Sequence, residues 1–304
     1  MKQIALRLTV AISFMVLVLT SLRAQSNIAL GNLSVACLRE NPGHAQELGS
    51  QVLMGMPVTI LGRDGDWLKV KTIDGYIGYI IYHSLKQLSA EEYRNWKKSE
   101  RAVFTALTEG KIFSDSINGS VVSDIVPGSI VQLQETGLRF AKVKLPDGRT
   151  GFMSVEDLTP LKEWMSQPFD KSIIERYARA SMGTPYLWGG NSSKGMDCSG
   201  LTYTGMWLNG RVVPRNASAQ AKIGQPVSNS ADLQNGDLVF FASPTGRINH
   251  VGCYIGNNRY VESSGRVRLT ERNPSQTKGY AFGRRINTLP SISRQPEILK
   301  FFVE

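Results

Sequence analysis

The residues with the clearest chemical potential are Asp197 and Cys198, which open a run of helix-forming residues. Asp197 is a favourable N-cap residue, the apolar run continues to Leu208, and Gly210 supplies a stop signal. Cys198 is therefore predicted in the first turn of a helix, where unpaired backbone N–H groups and the helix dipole stabilise a thiolate. Because a thiolate attacks carbonyl carbons, the pattern indicates nucleophilic catalysis, with the backbone N–H groups of Cys198 and Ser199 as candidate oxyanion donors.

A histidine is the expected base for this nucleophile, and the chain contains three of them. His44 and His83 lie in or beside turn-rich segments of the N-terminal part and are interpreted as surface residues. His250 lies in a strand-like run, residues 248–255, in the same half of the chain as Cys198. These positions make His250 the candidate base.

Strand alternation predicts a third member of the site. His250 and Gly252 share one face of the strand, whereas Cys253 faces the other side and is interpreted as a core residue. If residues 259–264 form the returning strand of a hairpin, Gly252 lies opposite Glu262, and His250 is the diagonal neighbour of that glutamate. Glu262 is then expected to orient the imidazole through a hydrogen bond. A solvent-facing strand glutamate is the alternative.

The cysteine count restricts the type of protein further. Cys37, Cys198 and Cys253 are too few for a disulfide-stapled scaffold, so we expect one reactive thiol beside two buried ones. A Cys37–Cys253 disulfide stays open as an alternative. His250 and Cys253 face opposite sides of their strand, so no metal site is indicated, and no motif indicates a cofactor.

The first 24 residues differ in character from the rest of the chain. Lys2 and Arg7 precede an apolar run, and Ala24 closes the segment. The run has about 12 residues, whereas a membrane span needs about 20. Residues 1–24 are therefore predicted to be a secretory signal peptide, with no membrane anchor after cleavage and a periplasmic or secreted product.

The charge of the chain bears on its partners. Lys and Arg number 35 against 25 Asp and Glu. A basic exported protein suits an anionic surface such as cell-wall polymer or lipid headgroups, although the charge can serve solubility alone. Nucleic acid is not an expected partner, because the chain has no long basic run and no nucleic-acid motif. We expect a monomer.

An internal repeat organises the N-terminal half. Within residues 27–160, positions match at a constant offset of 73 residues, as in Gly55 with Gly128 and Lys69 with Lys142. Constant spacing indicates two homologous modules, and their short strands with Asp-Gly turns resemble the bacterial SH3-like barrel. The predicted organisation is an SH3-like domain at 27–88, a second one at 100–160 and a different domain at 168–304.

Five ordered motifs in the last domain resemble the NlpC-type, papain-like cell-wall cysteine peptidases. They comprise residues 183–190, 196–201, 214–220, 235–241 and 250–256. With the two barrels, nearly the whole mature chain is similar to the γ-D-glutamyl-L-diamino acid endopeptidases of this family, also called dipeptidyl-peptidase VI. The resemblance implies an α+β fold in which a cysteine-bearing helix packs on an antiparallel sheet, preceded by two small SH3-like β-barrels.

The resemblance also implies a reaction. Cys198 would attack the γ-D-glutamyl carbonyl of peptidoglycan stem peptides, with His250 as the base. The scissile bond joins D-Glu to meso-diaminopimelate or L-Lys. Peptides with a free N-terminal L-Ala, released in wall turnover, are the expected substrates, and the first barrel is expected to close that end of the groove.

Further site residues follow from the same resemblance. Asp197 and Ser199 match positions that contact the substrate amine and backbone, and Tyr186 matches a tyrosine near the nucleophile. A carboxylate for the amine is expected from the first barrel. Glu47 is the candidate for it, with Tyr76 beside it, although a surface glutamate and a barrel-core tyrosine are equally open interpretations.

Two positions depart from the family pattern. The third catalytic position is usually His, Asn or Gln, whereas Glu262 stands here. A carboxylate also orients a histidine, so activity is expected to survive with a shifted pH profile. The arginine-containing motif usually continues with Asp, and Asn216 in that place removes a charge beside the groove.

Three alternatives stay open at this point. A D,L-endopeptidase acting on intact wall would use the barrels as anchors and would prefer sacculi to free peptides. A non-catalytic wall-binding protein is disfavoured by the coexistence of Cys198 and His250. A lipid acyltransferase on a related fold has no evident use for paired barrels, and lipid binding would distinguish it.

Overall fold

A computed structural model of the protein describes residues 25–304, so the predicted signal peptide at 1–24 lies outside the described residues. In this part of the chain the strands form two seven-stranded sheets, a six-stranded sheet and a two-stranded ribbon. No helix within residues 25–304 is long and apolar enough to cross a membrane.

The first β-module, residues 25–89, is an antiparallel sheet with the order β3-β2-β6-β5-β4-β1-β7. Its strands are β1 (Gln25–Gly31), β2 (Val35–Arg39), β3 (Leu48–Leu53), β4 (Pro57–Asp64), β5 (Trp67–Lys71), β6 (Ile77–Ile81) and β7 (Leu85–Ser89). In β2, Ala36 and Leu38 point into the core, so Cys37 between them faces solvent. The expectation that Cys37 is buried is therefore wrong, and all three cysteines are free thiols.

The second β-module, residues 101–160, repeats this sheet with the equivalent order β10-β9-β13-β12-β11-β8-β14. Its strands are β8 (Arg101–Phe104), β9 (Gly110–Phe113), β10 (Val121–Ile125), β11 (Ile130–Thr136), β12 (Phe140–Lys144), β13 (Thr150–Ser154) and β14 (Leu158–Pro160). Strands β5 and β12 begin 73 residues apart, and so do β4 and β11, which gives the sequence repeat its structural basis. Helix α1 (Ala90–Lys98) joins the modules and starts with a capping box between Ser89 and Glu92.

The C-terminal unit, residues 161–304, contains the six-stranded sheet in the order β17-β22-β18-β19-β20-β21. Its helices are α2 (Leu161–Ser166), α3 (Ile173–Ala180), α4 (Cys198–Leu208), α5 (Ala217–Gln220) and α6 (Pro296–Leu299). Its strands are β15 (Asn191–Ser192), β16 (Gly195–Met196), β17 (Gln225–Val227), β18 (Leu238–Ala242), β19 (Ile248–Tyr254), β20 (Tyr260–Ser264), β21 (Arg266–Thr270) and β22 (Tyr280–Arg285). Helix α4 packs on the sheet through a core that includes Leu201, Met206, Val251 and Val261.

A second core joins α4 to the first β-module. Trp164, Trp207 and Phe302 of the C-terminal unit pack in one cluster with Leu30 and Leu53 of the first β-module. Burying an aromatic or aliphatic side chain of this size stabilises the protein by about 1.5–3 kcal/mol. The helix that carries Cys198 and the first β-module are therefore parts of one packed body.

Candidate active site

The thiol of Cys198 lies at the start of α4, as the sequence predicts. The N-cap residue Asp197 accepts a hydrogen bond from the backbone N–H of Gly200 at 2.7 Å. The N–H groups of Cys198 and Ser199 open the helix, so they have no carbonyl partner one turn earlier within it. A methyl group on Gly200 would overlap the carbonyl oxygen of Gly190, so this glycine permits close packing of that segment on the helix.

A buried arginine organises the nucleophile loop. Arg215 is only 2% exposed, and its guanidinium forms a fork with Asp197, with Nη2–Oδ2 at 2.7 Å and Nη1–Oδ1 at 3.0 Å. The same guanidinium donates to Ser199 Oγ and to the carbonyl oxygen of Gly190, each at 3.0 Å. Burial would lower the pKa of Arg215, but Asp197 raises it, so the guanidinium stays charged.

This network changes the interpretation of two predicted substrate contacts. The carboxylate of Asp197 is shared by Arg215, by the backbone N–H groups of Gly189 and Gly200, and by the hydroxyl of Ser199. Both Asp197 and Ser199 border the cavity described below, yet their polar atoms are largely engaged within the protein. Arg215 was missed as a site residue, because nothing in its motif indicates a partner 18 residues earlier in the chain.

The candidate base and its predicted orienting residue meet across one hairpin. Gly252 of β19 pairs with Glu262 of β20, which confirms the predicted register. The imidazole Nε2 of His250 lies 2.5 Å from Oε2 of Glu262. Cys253 points to the opposite face and is fully buried, as expected from strand alternation.

Two further residues hold the carboxylate of Glu262. Its Oε1 accepts hydrogen bonds from Thr270 Oγ1 at 2.6 Å and from Arg268 Nε at 3.0 Å. Burial would raise the pKa of Glu262, but hydrogen bonds from His250, Thr270 and Arg268 lower it to about 2. Glu262 is thus a carboxylate at any pH at which the protein works, and each of its oxygens is occupied.

The charge state of His250 follows from its neighbours. Burial would lower the pKa of His250, but hydrogen bonds to Cys198 and Glu262 and the negative charges of both raise it to about 9. Because Nε2 faces Glu262, Nδ1 is the ring nitrogen available to the thiol. The arrangement favours an imidazolium at neutral pH beside the sulfur atom, as a cysteine nucleophile requires.

A cavity of about 680 Å³ lies between the first β-module and the C-terminal unit. It contains Cys198 together with the predicted residues Asp197, Ser199, Tyr186, Asn216, Glu47 and Tyr76. The structure therefore brings together all the predicted substrate-binding positions. His250 and Glu262 border an adjoining cavity instead.

Carboxylates from the first β-module line one part of this cavity. The hydroxyl of Tyr76 donates a short hydrogen bond to the carboxylate of Glu40, while Oε1 of Glu47 accepts one from the indole Nε1 of Trp188 at 2.6 Å. Gly49 leaves space for the contact between Tyr76 and Glu40, since a methyl group at Gly49 would overlap the Tyr76 hydroxyl. Glu40 and Trp188 were missed, because the sequence does not show which glutamate of the β2–β3 segment reaches Tyr76.

Tyr186 and Asn216 complete the wall near the nucleophile. Burial is the main cause that raises the pKa of Tyr186, and the nearby Cys198 and Asp197 raise it further. The hydroxyl therefore stays neutral and can donate or accept a hydrogen bond. Asn216 is the N-cap residue of α5, but its side chain makes no capping hydrogen bond within the described chain. Its amide therefore borders the cavity as an uncharged polar group.

Comparisons with known proteins agree with this fold. Residues 183–284 match the NlpC/P60 family, and residues 38–85 match the bacterial dipeptidyl-peptidase Sh3 domain. A γ-D-glutamyl-L-lysine dipeptidyl-peptidase of Bacillus subtilis is 30% identical over 224 residues, which cover 70% of this chain and 71% of the relative. The protein of the same name from Bacillus cereus is 28% identical over 249 residues, which cover 78% and 73%.

A solved structure gives the same architecture. The crystal structure of an NlpC/P60 family protein from Bacillus cereus superposes with a TM-score of 0.75 at 24% identity, covering 85% of this chain and 99% of that one. This likeness confirms the predicted α+β fold class, with a papain-like domain after SH3-like β-structure. On these matches, and with a cysteine placed as its nucleophile, the chain belongs to the NlpC/P60 family and is a cysteine peptidase.

Proposed function

We propose that the protein hydrolyses the bond between γ-D-glutamate and a diamino acid, meso-diaminopimelate or L-Lys, in peptidoglycan stem peptides with a free N-terminal L-Ala. The relatives in Bacillus are named for a γ-D-glutamyl-L-lysine dipeptidyl-peptidase activity, which supports the scissile bond. The observation that carries the proposal is the pair formed by Tyr76 and Glu40, which the first β-module places in the cavity of Cys198.

Glu40 and Glu47, which we call the acidic wall, both border the cavity. Their charges favour a substrate with a free N-terminal amine, because an α-ammonium group between them would gain charge-assisted hydrogen bonds. An acylated nitrogen carries no charge and adds volume on that side. The peptide fragments of wall turnover fit this site better than glycan-linked stems, whose alanine nitrogen is already acylated.

The reaction follows from the positions of three side chains. The Cys198 thiolate adds to the γ-carbonyl carbon, and the N–H groups at the start of α4 stabilise the oxyanion. His250 transfers its proton to the departing amine as the C–N bond breaks, which leaves a thioester on Cys198. His250 then takes a proton from water, and the hydroxide attacks the thioester. The C–S bond breaks, which restores the Cys198 thiolate and releases the dipeptide L-Ala-D-Glu with a new γ-carboxylate.

Glu262 acts through His250 in this scheme. It accepts a hydrogen bond from Nε2–H and so keeps Nδ1 directed at the sulfur atom and the leaving nitrogen. Arg268 and Thr270 fix the carboxylate itself. The role of Glu262 is therefore to position and charge the base.

Export belongs to the same proposal. Stem peptides are found outside the cytoplasmic membrane, and the sequence pattern of residues 1–24 is that of a signal peptide. N-terminal sequencing of the protein from a cell envelope or medium fraction tests this point. A first residue at Gln25 is expected, whereas an intact Met1 in the cytoplasm would contradict it.

Mass-spectrometric product analysis tests the reaction. The substrate is L-Ala-γ-D-Glu-meso-diaminopimelate, and its isomer with an α-linked glutamate is the control peptide. Release of L-Ala-D-Glu from the γ-linked peptide alone is expected, with loss of the activity in Cys198→Ala and its retention in Cys37→Ala, which removes an exposed thiol outside the cavity. Cleavage of both isomers at equal rates, or activity in Cys198→Ala, would overturn the proposal.

A further inference from the structure

A second cavity is bordered by residues of the C-terminal unit alone. It has a volume of about 570 Å³ and is bordered by both His250 and Glu262. It shares Ser243 and Asn249 with the cavity that contains Cys198, so the two spaces adjoin at these two residues. A peptide bound in the first cavity can therefore extend into the second.

The chemistry of the reaction assigns a side to each part of the substrate. The acyl part, which stays on Cys198 as the thioester, occupies the cavity that holds the sulfur and the carboxylates of Glu40 and Glu47. The leaving amine must receive its proton from His250. The residue attached to that nitrogen therefore extends past the imidazole, into the cavity that His250 borders.

The charges of this second cavity are mostly positive. Its charged side chains, within the described residues, are His250, Glu262, Arg268 and Lys278. The single negative charge, on Glu262, is already shared by His250 and Arg268. The ammonium of Lys278 is exposed and has no ion-pair partner in the described chain.

We propose that this cavity binds the leaving diamino acid and that Lys278, with Arg268 beside it, selects a diamino acid with a carboxylate at the end of its side chain. The inference rests on the proposed function and makes it narrower. It assigns a preference for meso-diaminopimelate over L-Lys, although the relatives are named for lysine.

The two diamino acids differ at one point. Both side chains end in an amine, but that of meso-diaminopimelate also carries a carboxylate on the same carbon. Lys278 attracts this carboxylate and repels the lone ammonium of lysine. The attraction of one exposed ion pair is modest, but the repulsion of the lysine ammonium acts in the same direction, so we expect a preference of about tenfold in kcat/KM.

Arg268 cannot supply this selection alone. Its Nε and Nη2 lie 3.0 and 2.9 Å from Oε1 of Glu262. The charge of the guanidinium is therefore partly neutralised, and the guanidinium is already used to hold this carboxylate. These contacts leave the N–H groups of Nη1 and the second N–H of Nη2 as its remaining donors. Lys278 has no contact with the hydrogen bonds that join His250, Glu262 and Arg268. Its charge can therefore be removed by substitution without disturbing them.

The test uses two peptides that differ by a single charge. L-Ala-γ-D-Glu-meso-diaminopimelate is compared with the same peptide carrying a carboxamide at the end of the diaminopimelate side chain, which keeps the shape and removes the carboxylate. The intact protein is expected to cleave the acid with about tenfold higher kcat/KM. In Lys278→Gln this ratio is expected to approach one, whereas Lys111→Gln, an exposed lysine of β9 in the second β-module, is expected to keep it.

Each outcome bears on a different claim. A ratio of one in the unmodified protein, or a ratio that Lys278→Gln leaves intact, overturns the subsite while the γ-glutamyl activity stands. Cleavage of neither peptide overturns the proposed function and the subsite with it. A third peptide carries a carboxamide in place of the diaminopimelate α-carboxylate. If this amidation, and not that of the side chain, abolishes the effect of Lys278→Gln, then Lys278 binds the α-carboxylate. Lysine has that group too, so the proposed preference for meso-diaminopimelate would be wrong.

Discussion

The imidazole of His250 and the carboxylate of Glu262 meet at 2.5 Å across the diagonal of one β-hairpin. The pairing of β19 with β20 alone creates this contact, because each strand supplies one partner. The carboxylate receives its other hydrogen bonds from β21, the next strand of the same sheet. The carboxylate that faces the base is therefore held within three neighbouring strands, while Cys198 of α4 contributes to the raised pKa of His250 from outside them.

Replacement of Glu262 by Gln is expected to shift the pH dependence of the enzyme. The raised pKa of His250, about 9, keeps the imidazolium populated until the pH passes that value, so kcat/KM should fall as the pH rises through about 9. Glutamine accepts the same hydrogen bond but carries no charge, so it stabilises the imidazolium less. The basic limb of the kcat/KM profile should move to lower pH by about one unit or more, with activity retained.

The matched control for this change is Glu91→Gln, an exposed position in α1. It removes the same charge far from His250 and should leave the profile in place. A basic limb that stays near pH 9 in Glu262→Gln would show that the carboxylate does not set the charge of the base.

Replacement of Arg215 by Ala is expected to destabilise the protein strongly. The change leaves the buried carboxylate of Asp197 without its bidentate guanidinium partner, and breaking a buried ion pair costs about 3–5 kcal/mol. Urea denaturation followed by circular dichroism measures the free energy of unfolding. Arg179→Ala, which breaks an exposed i,i+4 pair with Glu175, is the comparison, at about 0.3–0.5 kcal/mol. Equal losses in the two variants would contradict the role of Arg215.

The hairpin of the base was predictable because its geometry is local. Residues 256–258 form a short turn, and alternation on the two strands then decides which side chains share a face. The sequence thus led to the pairing of Gly252 with Glu262 and to the buried position of Cys253. The start of α4 was predictable for the same reason, since N-cap preferences act over three residues.

Contacts between distant segments could not be derived in this way. Arg215 lies in the loop between α4 and α5, and only the folded chain brings it to Asp197. Glu40 reaches Tyr76 because β2 and β6 are neighbours in the sheet although far apart in sequence. Glu47, the glutamate favoured from the sequence, turns towards Trp188 instead. Such choices depend on strand order, which local patterns do not contain.

A methyl group at Gly49 is expected to damage substrate binding. The added carbon would overlap the Tyr76 hydroxyl and the Glu40 carboxylate, so one of these side chains must move. KM for L-Ala-γ-D-Glu-meso-diaminopimelate should rise by about tenfold, while overpacking costs about 1–3 kcal/mol of stability. Gly62→Ala has nothing within 4 Å and should change neither quantity. An unaltered KM in Gly49→Ala would separate this wall from the substrate.

The two glutamates of the acidic wall are expected to differ in effect. Glu40 contacts Tyr76, whereas one oxygen of Glu47 is held by the indole of Trp188. Glu40→Gln should therefore lower kcat/KM for the free-amine peptide more than Glu47→Gln does. Steady-state kinetics of the two variants on the same peptide measure the difference, and the reverse order would assign the amine to Glu47.

The most direct test of the account compares L-Ala-γ-D-Glu-meso-diaminopimelate with its N-acetyl form on the same enzyme. Glu40 and Glu47 are exposed in the free protein, and a hydrogen bond to a charged group contributes about 1.5–3 kcal/mol, so the free amine should give a kcat/KM higher by about tenfold or more. Glu40→Gln should reduce that ratio. Equal kcat/KM for both peptides would mean that Glu40 and Glu47 of the first β-module do not distinguish a free N-terminal amine from an acylated one. The protein would then be a general endopeptidase of wall peptides.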